Sequence, residues 1–397
     1  MLYKNLESYY YKNREEYEEQ YKKRFESVST QKLDIFIKEY QAFYVNTNEI
    51  IQLIYDIMQA NRRLDDICVC LPGVALTQYK RNKLIDEINI TNEIEGVYST
   101  KREISDILDN LGNKDKTLRL VNLVKKYERI MQHDEIDLKS CESIRKLYDE
   151  IVLQEVVAAC PENAPDGKYF RKNEVSVWSS KQEMVHSGLM PEKAIDEAME
   201  KALNVLNGDI GNRLINIAIF HYLLGYIHPF YDGNGRMNRF ISSYMLSKEL
   251  NNLISYGLSV VIKENRSRYN KLFIITNNKI NRGDLTPFIT SFLEFIKTSL
   301  IHMDIKLREK EEKLEYYESI LQDKYQGKSK YWKVLYYLLQ NALFGFEGLT
   351  MSDLQDISSL GYTAIKNVLE LNEKLIKTNQ VGKRIFYTVD LDVLDMQ

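Results

Sequence analysis

Residues 228–239 read His-Pro-Phe-Tyr-Asp-Gly-Asn-Gly-Arg-Met-Asn-Arg and crowd charge-binding groups into one sharp turn between two apolar helices. One helix is predicted to end near Ile227 and the next to begin near Gly235. The first N–H groups of that second helix have no intrahelical acceptor and carry the positive end of its dipole. Gly233, Asn234 and Gly235 let the backbone fold tightly enough for successive N–H groups to converge on one anion. Phosphate suits such a nest. Arg236 falls in the first turn and Arg239 one turn on, on the same face, each able to add charge-assisted hydrogen bonds. Two cations at a helix N-terminus oppose its dipole, which argues for an anionic ligand. Asp232 stands just before the nest, and a lone carboxylate beside phosphates is a common way to hold Mg2+, with water and phosphate oxygens completing the octahedron. His228 lies at the other edge. The arginines disfavour its protonated form, so it is able to accept a proton. These residue types describe a nucleotide phosphate site with a metal carboxylate and a general base.

The elements that must position this turn are mostly helical. "NRLINIAIFHYLLGYI" is apolar on nearly every face, as a helix at the centre of a bundle must be. His221, seven residues before His228, reads as a hydrogen-bonded core histidine rather than a catalyst. "RFISSYMLSKELNNL" continues after the turn as a second helix. Residues 1 to about 60 read as long amphipathic helices, with Ile50, Ile51, Leu53, Ile54, Ile57 and Met58 forming a stripe. "CVCLPGVAL" is a short non-helical break at Pro72 and Gly73. Pro165, Asp166 and Gly167 make a loop. "EVSVWSS" and "EMVHSG" together suggest a hairpin, and Pro191 opens a helix. Helices run on to about residue 325, and "QGKSK" is a boundary. The remaining chain reads helix, a second helix capped by Thr350 or Ser352, a turn at Gly361, a third helix, then a hairpin. That order is the winged-helix pattern.

With 397 residues, the chain exceeds what one compact core usually holds, so two or three domains are expected. A net charge of −3 supplies no general basic field for nucleic acid. From residue 331 onward the six basic residues (Lys333, Lys366, Lys374, Lys377, Lys383, Arg384) face eight acidic ones. The would-be recognition helix carries Glu370 and Glu373, which would repel phosphate, so contact with protein or dimerisation suits this module better than contact with DNA. Lys377, Lys383 and Arg384 on the hairpin keep DNA as a second reading. None of the four cysteines forms a C-x-x-C, and Cys68 and Cys70 suit a buried strand or loop edge better than a metal site or disulfide. His133, His186 and His302 have no metal-like neighbours or catalytic context. The N-terminus is charged throughout, unlike a signal peptide, and the longest apolar stretch is too short to span a bilayer. A cytoplasmic, reducing environment is expected, with no membrane partner.

The run 228–239 resembles the signature of Fic-domain proteins, H-P-F-x-D/E-G-N-G-R-x-x-R, at every defined position. The likeness is strongest over roughly residues 85–250. Asn238 stands where the family often has Gly, at a variable position. Related kinases that bind the nucleotide reversed carry Lys where this chain has Gly235. The resemblance implies a helical fold whose members mostly transfer AMP from ATP to a protein hydroxyl. By position, His228 would deprotonate the target Ser, Thr or Tyr, and Phe230 would anchor the loop. Asp232 would hold Mg2+ on the α- and β-phosphates. Gly233, Asn234 and Gly235 would cradle phosphate oxygens, Arg236 would bind the β-phosphate and Arg239 the γ-phosphate. "TNEIEGV" resembles the family's inhibitory motif S/T-x-x-x-E-G/N. Thr91 and Glu95, four apart, share a helix face. The likeness implies that Glu95 pairs with Arg239 and displaces the γ-phosphate. On its own, "DEINITNEIE" also fits a solvated acidic helix end. Gly167 and Arg171 resemble the family's G-x-x-x-R approach to a flap hairpin, whose edge can register a target segment.

The expected molecule is mainly α. It has an N-terminal helical region over 1–110 with an inhibitory motif at 91–96. A Fic-type helical bundle follows over 111–300, with a small β-hairpin flap at about 167–190. A connecting helix spans 301–328 and a winged-helix-like domain 329–397. The expected partners are ATP with Mg2+ and a target protein, with a homo-oligomer also compatible. The alternatives are removal of AMP by an enzyme using Glu95, alone or alongside transfer, and a winged-helix DNA-binding regulator that senses nucleotide.

Overall fold

The computed structural model describes residues 3–110, 120–132, 134–178, 184–208, 211–325 and 330–396. Among these residues the fold is mainly α with three small antiparallel sheets. The chain divides into two compact units, Met1–Asn61 with Asp86–Leu300, and Arg62–Ile85 with Ile301–Gln397. The sequence reading divides it at 110, 300 and 328 instead. No helix among the described residues is long and apolar enough to cross a membrane.

In the first unit, helices α1 (Leu6–Tyr10) and α2 (Arg14–Phe25) precede a hairpin of β1 (Thr30–Ile37) and β2 (Tyr40–Val45). The expectation of helices throughout residues 1–60 is therefore corrected. The hairpin turns through Lys38, a non-glycine with φ of 55°, so no Gly, Asn or Pro marks it in the sequence. Distant groups hold it: Lys38 N donates to the Tyr226 hydroxyl at 2.8 Å, Phe43 N to Gly283 O at 3.0 Å and Val45 N to Thr286 Oγ1 at 2.9 Å. Helix α3 (Asn48–Cys70) follows, belonging to the first unit as far as Asn61 and to the second from Arg62, and its last turn carries Cys68 and Cys70, which the sequence reading puts on a strand or loop edge. The amphipathic period continues through Leu64 and Ile67, which are buried, so the helix outlasts that expectation. The break before α4 (Gly73–Ile94) is only Leu71 and Pro72.

Beyond α4 come α5 (Lys101–Asp109), α6 (Val121–Met131) and α7 (Cys141–Tyr148). A π turn over Asp149–Leu153 and α8 (Gln154–Ala159) continue α7. Strands β3 (Ser176–Trp178) and β4 (Met184–Ser187) pair antiparallel in the region expected to be the flap, with residues 179–183 outside the described set. Helix α9 (Glu192–Asn207) has Pro191 as its N-cap residue. Helix α10 (Arg213–Ile227) buries 13 of its 15 residues, and α11 (Asn234–Glu249) buries 12 of 16. Helix α10 packs against α9 and α11 and forms the centre of the unit. Helices α12 (Leu258–Glu264) and α13 (Arg266–Asn277) complete it, with the start of α14 (Thr286–Tyr325), one continuous helix of 40 residues.

The second unit holds α15 (Lys330–Phe344), β5 (Leu349–Thr350), α16 (Met351–Ser358), α17 (Tyr362–Leu371), β6 (Ile376–Val381), β7 (Arg384–Val389) and α18 (Leu391–Leu394). Its sheet order is β5-β7-β6, all antiparallel. Thr350 caps α16 in a reciprocal capping box with Asp353. Val334, Leu338, Leu354, Ile365 and Phe386 form its core, and Gln340 Oε1 accepts from Ala75 N at 3.0 Å.

Candidate active site

The turn between α10 and α11 is held from several directions. His228 ends α10 in a left-handed conformation, with φ of 52° and ψ of 62°. For a residue with a Cβ this costs about 1 kcal/mol or more, and Pro229 prevents any further helical turn. Arg171, fully buried, clamps the strained segment. It donates through Nε to His228 O at 2.8 Å, through Nη1 to Asn173 O at 2.6 Å and through Nη2 to Leu189 O at 2.8 Å. A cation against these carbonyls also complements the negative end of α10. Phe230 is wholly buried and stacks on Tyr148 with ring centroids 3.7 Å apart. The Asn234 side chain crosses the turn, accepting from Phe230 N at 3.0 Å and donating to Phe230 O at 2.7 Å. Asn234 is thus a brace as well as part of the nest.

Gly233 is the N-cap residue of α11 with φ of 81°, and a Cβ there would meet Val152 Cγ2 at 3.0 Å. Glycine is required at this position on both counts. Asp232 is exposed and its Oδ1 accepts from Gly233 N at 2.6 Å. The Tyr148 hydroxyl donates to Asp232 O at 3.1 Å. Burial, and then the Asp232 charge, raise its pKa above the ordinary tyrosine value.

Arg236 and Arg239 lie deeper than a surface patch would place them, at 2% and 1% exposure. Arg239 donates through Nε to Thr91 Oγ1 at 2.8 Å and through Nη2 to Thr91 O at 3.0 Å. The same Nη2 pairs with Glu95 Oε1 at 2.8 Å. Glu95 is not inside α4 but caps its end. Gly96, with φ of 74°, donates to Glu93 O at 3.1 Å, and Val97 N donates to Asn92 O at 2.9 Å. This is a Schellman closure, and a residue free to take positive φ must follow the glutamate for it to form. The closure brings the Glu95 carboxylate against Gly235, where a Cβ would collide with Glu95 Oε1. Arg236 pairs through Nη1 with Glu155 Oε2 from α8.

The remaining candidates lie elsewhere. His221 is fully buried, with Nδ1 hydrogen-bonded to Ser242 Oγ at 2.8 Å and Nε2 to the Tyr269 hydroxyl at 2.7 Å. Burial, and then the Arg239 charge, lower its pKa to about 3, so it stays neutral in the core. His133 and the His186 side chain fall outside the described residues, and the cysteines are free thiols. Sequence reasoning missed Tyr148, Val152 and Glu155, which line the turn from one continuous segment, and it missed the Tyr231 hydroxyl bond to Asp166 Oδ1 at 2.9 Å. No motif marks these residues. The only available signal was the helical spacing of Tyr148, Val152 and Glu155.

Residues 140–246 match the model of the Fic/DOC family. Two curated relatives, both named "Protein adenylyltransferase Fic", align over 129 residues. That of Drosophila mojavensis is 31% identical and that of Drosophila willistoni 30%; in each case the match covers 31% of this chain and 22% of the relative. The chain thus spans about a fifth of the length of the curated relatives it matches. The crystal structure of a Fic family protein from Desulfovibrio desulfuricans G20 superposes with a TM-score of 0.54 at 19% identity, covering 88% of this chain and 98% of that one. That likeness establishes a shared fold.

Proposed function

Because residues 140–246 form a Fic/DOC domain, we propose that this chain transfers AMP from ATP to a Ser, Thr or Tyr hydroxyl of a protein and is held inactive by its own Glu95. The observation that carries this reading is that a carboxylate of the chain already pairs with Arg239 at the N-terminal turn of α11. Glu95 Oε1 stands over Gly235 while bonded to Arg239. A guanidinium that holds a carboxylate beside a helix N-terminus can hold a phosphate in its place, with the helix dipole favouring either anion.

In the reaction, the His228 imidazole takes the proton of the target hydroxyl. The hydroxyl oxygen bonds to the α-phosphorus, the bond from that phosphorus to the bridging oxygen breaks, and pyrophosphate leaves. The residues contribute position and charge more than covalent chemistry. Arg171 holds the His228 carbonyl, and the amides of Asn234 and Gly235 take phosphate oxygens, while Gly233 N is already bonded to Asp232 Oδ1. Asp232 suits a cation shared with substrate, since it is exposed and no group of three or more metal-binding side chains converges among the described residues. Mg2+ held by one carboxylate, phosphates and water would neutralise polyphosphate charge there. The same position of Glu95 favours one second reading, in which it directs water onto an AMP-modified protein.

The second unit supports a winged-helix module that contacts protein. Lys377 on its hairpin is paired with Asp390 at 2.7 Å, which lowers the charge available to a phosphate backbone.

Incubation with labelled ATP and Mg2+ tests the transfer. Glu95→Gly is expected to label itself or lysate proteins at least tenfold faster than wild type, and adding His228→Ala should abolish the signal. Failure of Glu95→Gly to label any protein would sink the transferase reading. Equal labelling by wild type would sink the inhibition.

A further inference from the structure

Arg236 has a partner that lies outside the motif and outside the inhibitory segment. The chain leaves α7 through the π turn Asp149–Leu153 and enters α8, and this segment aims three residues at the catalytic turn. Tyr148 stacks on Phe230, Val152 lies against Gly233, and Glu155 meets Arg236. π turns often occur where a helix must redirect side chains at a functional site. The Glu155 and Arg236 side chains are 12% and 2% exposed, so this is a nearly dry ion pair.

The geometry of the guanidinium distinguishes the two arginines. The Nε–H and one Nη–H form the parallel pair of donors that grips a carboxylate or phosphate with two bonds. On Arg239 that edge is taken, by Thr91 at Nε and by Thr91 and Glu95 at Nη2. On Arg236 the Glu155 carboxylate takes Nη1, away from that edge. Its Nε is buried with no acceptor among the described residues. Leaving such a donor unmet costs about 1–3 kcal/mol, and a phosphate oxygen would meet it.

We infer that Glu155 is the positioning residue for Arg236, holding the guanidinium by Nη1 so that its Nε edge receives a nucleotide phosphate. This rests on the transferase reading above. Glu155 therefore does the opposite of Glu95, since it remains in place when nucleotide binds.

The test uses the full chain carrying Glu95→Gly, with Mg-ATP affinity measured by titration calorimetry. Glu155→Ala is expected to weaken Mg-ATP binding about tenfold while leaving adenosine affinity unchanged. The loss should vanish when Arg236→Ala is already present, because the effect passes through that side chain. Glu155→Gln keeps an acceptor oxygen and should fall between parent and Ala; it also serves if Glu155→Ala does not fold, as judged by circular dichroism. Unchanged Mg-ATP binding in both variants would overturn the inference, and tighter binding would overturn it and make Glu155 a competing anion. Equal loss in the presence and absence of Arg236 would also overturn it. Absence of Mg-ATP binding in the Glu95→Gly parent would instead remove the transferase reading on which the inference rests.

Discussion

Two arginine–glutamate pairs flank the first turns of α11, three residues apart, and they differ in which edge of the guanidinium is engaged. At Arg239, Thr91 and Glu95 fill the edge that would grip a phosphate, and the carboxylate stands over Gly235. At Arg236, Glu155 takes the far nitrogen and leaves Nε without an acceptor among the described residues. Both are charge-assisted contacts to nearly buried cations, so burial and charge alone do not tell them apart. The supporting structure does. Glu95 stands at the C-terminal end of a helix, closed by a glycine, with its side chain 26% exposed. Glu155 comes from the packed segment that also carries Tyr148 and Val152. A carboxylate on a helix end can swing away at little cost, whereas one built into the wall under the turn cannot.

The comparison breaks most severely at Arg236. In the Glu95→Gly background, Arg236→Ala should lower AMP transfer by about 10²–10³-fold, the loss expected when a preorganised charge at the transferring group is removed. Initial rates of label transfer decide it, and a change under threefold would mean the open edge is not used. Stability sharpens the contrast next. Glu155→Ala strands a buried guanidinium and should cost about 3 kcal/mol. Glu95→Ala should cost about 1 kcal/mol, because Thr91 still holds Arg239. Urea unfolding of both variants measures the difference, and the reverse order would contradict the assignment of wall and latch.

A third carboxylate distinguishes the Arg239 side. Glu87 lies on α4 two turns before Glu95, is fully buried, and accepts from Ser259 N at 3.1 Å and from the Ser259 hydroxyl. Burial raises its pKa from 4.5 to about 7, with the Ser259 bonds and the Arg239 charge opposing. The folded form binds the proton more tightly than the unfolded one. Its contribution is therefore fully present below pH 4.5 and is lost as pH rises through about 7. Wild type should lose about 2 kcal/mol relative to Glu87→Gln between pH 5 and pH 8, read from unfolding curves at both values. Parallel curves would show that Glu87 does not titrate in that window. The smallest effect is expected from Thr91→Val, which removes one bond to Arg239 Nε. About 1 kcal/mol of weakened latch should raise wild-type transfer about fivefold. A lower rate than wild type would assign Thr91 to activity rather than restraint.

Much of the site was legible where local chemistry dictates it. Gly233, Asn234 and Gly235 announce a tight turn, and the apolar run before His228 announces a buried helix. Gly96 after Glu95 announces a helix end. The β1–β2 hairpin was not legible, because Lys38 takes the left-handed turn without a turn-forming residue and its anchors Tyr226, Gly283 and Thr286 are far along the chain. Arg171 could be flagged by resemblance, but its clamp on the carbonyls of Asn173, Leu189 and His228 required the fold.

The tight turn at residues 228–235 and the two helices that hold it were readable from the chain alone, because glycine freedom, proline geometry, caps and apolar periodicity act over a few neighbouring residues. Only the tertiary structure decided which edge of each arginine is engaged. The partners of Arg236 and Arg239 lie 81 and 148 positions away. A guanidinium on a helix can turn toward either side, and the packing of distant segments selects the one it takes.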